Sequence, residues 1–150
     1  MKTRINGCIF VFTFIVLLIA STSPVVSESA GDLIVDISGF PSSDVFAMVA
    51  LSNSEESYEG GETSVVAKAK ARVIDQKAQV IFANLSYGSY GVSVYHDENT
   101  NGKLDSNLMG IPKEAYGFSN NAKGFFGKPN YKNVVFQLNS AEKQIAVNLD

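Results

Sequence analysis

Cysteine and histidine are almost missing from this chain. It has one of each, Cys8 and His96. No intrachain disulfide can form, and one imidazole cannot supply an ordinary zinc site built from several N and S ligands. Basic charge is also scarce: Lys and Arg number 12 against 15 Asp and Glu, for a net charge of −3. That balance excludes the basic footprint that nucleic-acid binding needs. Motifs of common catalysts are lacking too. Gly88-Ser89-Tyr90-Gly91 does not have the spacing of a Gly-x-Ser-x-Gly nucleophile elbow. Gly124-Phe125-Phe126-Gly127-Lys128-Pro129 lacks the spacing and the Ser or Thr of a phosphate loop.

Only one long apolar run is present, Cys8 to Ala20, broken by Thr13. It is short for a membrane span, which takes about 20 residues. Lys2 and Arg4 precede it, and Val25-Val26-Ser27 follows as a small-residue cleavage site. The pattern predicts a secretory signal peptide over residues 1–27, with an uncleaved anchor as the alternative. Its removal would leave ten basic and fifteen acidic residues, a net charge of −5, and no cysteine. The expected product is an exported domain over 31–150, periplasmic or extracellular, with no membrane span. Without disulfides it must rest on its apolar core.

Beyond the leader the hydrophobic period is two. Leu33, Val35 and Ile37 alternate with polar or outward positions, and Val45 to Leu51 is a more continuous apolar run. Residues 53–62 hold four glutamates and read as an exposed loop. In Val65 to Asp75, Ala67, Ala69, Ala71 and Val73 share one face, and Lys68, Lys70 and Arg72 the other. Such a basic stripe is expected to be the wet side of a strand that guards an edge, with anion binding as the alternative. A hairpin turn at Gln76-Lys77 leads into Ala78 to Leu85. Tyr90, Val92, Val94 and His96 then share a face, and two closing strands run through Val134–Leu138 and Ile145–Leu149, joined by a turn at 139–142. About seven short strands and no convincing helix predict an all-β fold, a single antiparallel β-sandwich.

The densest set of oxygen ligands is Asp97-Glu98-Asn99-Thr100-Asn101-Gly102-Lys103-Leu104-Asp105. Asp97, Asn99, Asn101 and Asp105 occupy positions 1, 3, 5 and 9 of a calcium-loop pattern, with Gly102 at position 6. Lys103, at position 7, would give its backbone carbonyl. A hard cation wants six to eight oxygens, and alternate residues of a tight turn point theirs at one centre. Position 12 is Leu108 rather than Glu, so Glu98 or Glu114 would have to supply a further carboxylate. The alternative is an Asx-rich turn whose side chains bond their own backbone. His96 beside Asp97 is a structural histidine rather than half of a dyad, because strand neighbours point to opposite faces. The long irregular stretch 106–130 carries Tyr116, Phe118, Phe125 and Phe126. Its aromatics would cover the end of the sandwich or form a contact surface.

Asn84-Leu85-Ser86-Tyr87-Gly88-Ser89-Tyr90-Gly91-Val92-Ser93-Val94 resembles the turn, Gly-x-Tyr and strand signature of transthyretin-like (immunoglobulin-like) and collagen-adhesin B-type sandwiches. Residues 96–105 and 110–121 are similar to the bacterial family called domain of unknown function 2141. The resemblance implies an exported bacterial sandwich domain and supplies no activity. The adhesin likeness implies that an Asp-x-Asn-x-Asn-Gly loop can hold calcium. Two functions are expected from these features: a non-catalytic, calcium-stabilised module contacting a protein or glycan in the cell envelope, or a small hydrolase using the carboxylates of residues 96–114.

Overall fold

Two sheets face each other across an aliphatic core. The computed structural model describes residues 29–150 apart from Asp44, Phe126 and the side chain of Glu62. The expected signal peptide and Phe126 lie outside the described residues.

Eight strands follow in order: β1 (Ala30–Ser38), β2 (Phe46–Ser52), β3 (Ala67–Arg72), β4 (Lys77–Ser86), β5 (Gly88–Asp97), β6 (Tyr116–Phe118), β7 (Phe136–Leu138) and β8 (Glu142–Asn148). One sheet has the order β4-β1-β8. The other runs β3-β2-β5-β6, and β7 also pairs with β5. The seven strands expected from period-two patterning all form, but the one read through Val134–Leu138 is only Phe136–Leu138, because Val134 ends a short helix. The eighth, β6, is a three-residue strand inside the stretch read as irregular. All pairs are antiparallel but one: β8 runs parallel to β1 from Asp32↔Glu142 to Ser38↔Asn148. The expected turn at 139–142 is therefore a crossing between sheets rather than a hairpin.

The alternation explains the layers. Leu33, Val35 and Ile37 of β1 are buried and pack with Val80, Phe82 and Val147 of their own sheet. From the other sheet come Ala47, Val49, Leu51, Val92, Val94 and Leu138. On β3, Ala67, Ala69 and Ala71 pack against this core, and Lys68, Lys70 and Arg72 are exposed at the sheet edge. Lys70 Nζ lies 3.8 Å over the Phe46 ring. The turn between β3 and β4 is Asp75-Gln76, one residue earlier than the sequence suggested. Both residues have positive φ (50° and 60°), and Ile74 and Lys77 exchange backbone hydrogen bonds around them. Positive φ at both central positions gives the turn the twist that adjacent strands require.

Residues 53–62 are not simply loop. Helix α1 (Glu55–Glu59) is capped by Ser54, whose side chain accepts the Ser57 N–H. It buries Tyr58 against Phe118 and Val134, the last on helix α2 (Tyr131–Val134). This second, smaller core includes Tyr131, which with Val134 packs onto Gly91 of β5. A Cβ on Gly91 would stand 3.0 Å from Val134 Cγ2 and 3.2 Å from Tyr131 Cε2. Glycine there lets α2 lie close to the sheet.

Candidate metal centre and the adjoining groove

Strand β5 ends at Asp97, and the chain then makes the Asn-rich loop. His96 points into the main core, where it is fully buried with its ring 5.2 Å from Phe40. Its Nδ1 lies 3.2 Å from Glu98 Oε1, off the hydrogen-bonding direction, and neither ring nitrogen has a hydrogen-bond partner among the described residues. Asp97, on the opposite face of the strand, is also fully buried. Its Oδ2 accepts the Gly102 N–H at 3.1 Å. Its Oδ1 is buried and has no partner among the described residues.

The other loop side chains meet around Asp105. Asn99 Nδ2 donates to Asp105 Oδ2 at 2.5 Å, and Asn101 Nδ2 lies 3.2 and 3.3 Å from the two Asp105 oxygens. The amide oxygens accept backbone N–H groups two residues on, Asn101 N to Asn99 Oδ1 and Lys103 N to Asn101 Oδ1. These bonds make two consecutive Asx turns. Gly102 has φ +74°, and nothing lies within 4 Å of where a Cβ would stand, so its glycine answers to backbone conformation rather than to crowding. Tyr95 Oη donates to the Gly102 carbonyl at 2.8 Å, tying the loop back to β5.

Glu114 fixes the two ends of the loop together. Its carboxylate is buried, and its oxygens accept Glu98 N–H at 3.0 Å and Asp105 N–H at 2.9 Å. Of the two carboxylates the sequence offered as extra ligands, Glu98 turns toward His96 and Glu114 clamps the backbone. Leu108 stands fully in solvent on the next hairpin. Among the described residues no group of three or more His, Cys, Asp and Glu side chains could hold a metal. An ion at this loop would draw on Asp97, Asp105, amide oxygens and the Lys103 carbonyl.

Beside the loop, on the outer face of the five-stranded sheet, lies an open cavity of about 230 Å³. Tyr95 of β5 and Tyr116 of β6 line it together with Leu104, Pro112, Tyr58 and Lys128. Lys128 Nζ sits 3.6 Å over the Tyr58 ring and donates to the Tyr58 carbonyl. Partial burial lowers the Lys128 pKa, opposed by the charge of Glu59, and the same burial raises that of Tyr58. Tyr58 Oη donates to the Pro129 carbonyl at 2.9 Å. The sequence reading missed Tyr58 because it lies in a Glu-rich segment. The signal available was the Ser54-Glu55-Glu56-Ser57 helix start just before it. Ser119 was also missed: fully buried, it accepts Val92 N–H at 2.9 Å and donates to the Val134 carbonyl at 2.5 Å.

Among the described residues no helix is long and apolar enough to cross a membrane. Comparison with curated proteins and with solved structures finds no match. The family model described as "Uncharacterized protein conserved in bacteria (DUF2141)" matches residues 35–146, from β1 through β8 and across the whole Asn-rich loop, and the chain belongs to that family.

Proposed function

We propose that the protein is an exported, non-catalytic module of the cell envelope. Its 97–105 loop holds a calcium ion, and its aromatic-lined face contacts a protein or glycan. The observation that carries the calcium reading is Asp97 Oδ1, a fully buried carboxylate oxygen without a hydrogen-bond partner among the described residues. Burying an ionised oxygen unpaired is costly, and a bound cation removes that cost. The side chains of Asn99, Asn101 and Asp105 are within hydrogen-bond reach of one another, so few rotations separate the present network from a shared ligand set. The Asx-turn bonds are compatible with this, since each amide oxygen has a second lone pair.

With only two carboxylates among the ligands, binding is weak, in the range of about 10⁻⁴–10⁻³ M typical of extracellular modules. The non-catalytic reading is supported by how three of the four carboxylates of 96–114 are engaged; the fourth, Glu98, is half exposed with its Oε1 3.2 Å from His96 Nδ1 and is the one a hydrolase would have to use. Asp97 is sealed, Glu114 holds two backbone N–H groups, and Asp105 accepts two amides. A hydrolase would need one of these free to work on a substrate.

Thermal melting tests the reading. Binding to the folded state alone stabilises by RT ln(1 + [L]/Kd), about 1.4 kcal/mol at millimolar calcium and a Kd near 0.1 mM. Tm is expected to rise by several degrees, and less with magnesium, which demands a tighter octahedral shell. No change in Tm or in protease cleavage of the loop would leave the Asx turn as the whole explanation.

A further inference from the structure

The hairpin that follows the Asn-rich loop carries its largest apolar side chains outward. Ser106 and Pro112 bridge its two arms, and Asn107 N–H donates to the Ile111 carbonyl. At the tip, Leu108 is 108% exposed, Met109 82% and Ile111 54%. Three large apolar residues among four consecutive positions in water is unusual, since exposed apolar residues normally occur singly. The tip is held by its own bonds. Asn107 Oδ1 accepts the N–H groups of Met109 and Ile111 at 2.9 and 3.0 Å, and Gly110 N–H donates to the Asn107 carbonyl at 2.9 Å.

That internal satisfaction decides what the tip can enter. A turn with unpaired N–H groups pays heavily to leave water; here the N–H groups of residues 107, 109, 110 and 111 are paired within the hairpin, and that of Leu108 at the apex is left to water or headgroup oxygens, which limits the tip to the interface. Two cations stand at the base of the hairpin, Lys103 and Lys113, both exposed, with the Asp105 carboxylate between them partly buried and engaged by two amides. Long lysines at the foot of an apolar tip reach anionic headgroups while the tip enters the acyl boundary. Phe125, next to the Gly124↔Gly127 bridge, is 93% exposed. Pro112 of the hairpin and Gly127 and Lys128 of the later segment line the same cavity.

We infer that the 105–113 hairpin is a membrane-docking tip, in which Leu108, Met109 and Ile111 insert at the interface of an anionic bilayer and Lys103 and Lys113 contact its headgroups. Docking is shallow and reversible, because three side chains are far less apolar surface than a spanning segment. The loop behind the tip carries Asp97, Glu98, Asp105 and Glu114, which repel the same headgroups. A calcium ion there would offset that repulsion, so this coupling rests on the calcium reading, whereas insertion itself does not.

The test places an environment-sensitive fluorophore on Met109→Cys in the full chain with Cys8→Ser, and on Ile81→Cys as the control. Ile81 is exposed on the opposite sheet. The probes are read with phosphatidylcholine vesicles containing about 30% phosphatidylglycerol. A blue shift and several-fold brightening at position 109, absent at 81, is the expected result, whether or not residues 1–27 also associate with the bilayer. Leu108→Ser with Ile111→Ser should weaken the response roughly tenfold or more, while leaving Tm within a degree or two of the parent, because both side chains are in solvent. An equal shift at both positions, or none at 109, overturns the proposal. So does a shift at 109 that appears without vesicles and grows with protein concentration, which would mean that a second copy covers the tip. A shift at 109 that is unchanged when calcium is chelated upholds docking and removes the calcium coupling.

Discussion

At the scale of single residues, two neighbours on β5 divide the roles. His96 and Asp97 are both fully buried, one on the core face and one on the loop face. His96 packs edge-on against Phe40, and Asp97 supports the turn through Gly102 N–H. Asp97→Asn keeps the shape and an acceptor for Gly102 but removes the charge. It is expected to abolish the calcium-dependent rise in Tm, and Asp105→Asn to reduce it. His96→Ala opens a cavity and should lower Tm by an amount equivalent to roughly 2–4 kcal/mol, yet leave the calcium increment intact. Melting each variant with calcium and with chelator separates the two effects. A calcium increment that survives in Asp97→Asn would remove that residue from the ligand set.

Strands supply the next scale. The three-stranded sheet is laced on its outer face by Asp36 of β1, which accepts Gln79 Nε2 of β4 at 2.7 Å and Gln144 Nε2 of β8 at 2.5 Å. These two bonds, Gln79 first, hold the Asp36 pKa below its ordinary value of 3.8. A depressed carboxylate pKa contributes stability that is present above the unfolded value and lost as pH falls through the folded one. Asp36→Asn should therefore lower Tm at neutral pH, and the gap to the parent should close as the pH drops below about 4. The group lies partly open to solvent on the outer face of the sheet, so screening keeps the gap modest. A Tm difference that stays constant from neutral to acid would show that the two glutamines do not favour the charged form.

For the whole molecule, the last nine residues join both sheets. β8 pairs with β1 in parallel along one sheet, and Leu149 N–H donates to the Ser38 carbonyl. Asp150 then exchanges backbone bonds with Tyr116 of the other sheet, and its carboxylate accepts Lys123 Nζ at 2.9 Å. Val147 and Leu149 are buried between the sheets. Deleting residues 142–150 should abolish cooperative melting rather than trim an end, because it uncovers the core and strips one edge of β1. A deletion variant that melts cooperatively near the parent Tm would contradict this account.

The strands were legible because a strand with one wet face writes its burial into alternate residues, and Leu33, Val35 and Ile37 or Ala67, Ala69 and Ala71 do so without help from the rest of the chain. The Asn-rich turn at 97–105 was legible for the same reason: amide oxygens that accept the N–H two residues on are a local pattern. What the sequence could not decide was anything carried by distant partners. The parallel placement of β8, the inclusion of Tyr116–Phe118 as a strand, and the burial of Tyr58 under Phe118 depend on contacts across many residues, and no local period records them. Glu114 could be named as a carboxylate near the loop, yet its role as a clamp on Glu98 and Asp105 N–H exists only once the hairpin folds back. The same holds for Leu108, Met109 and Ile111: in the sequence they fall within an irregular stretch, and only the hairpin closed by the Asn107 turn stands them in water.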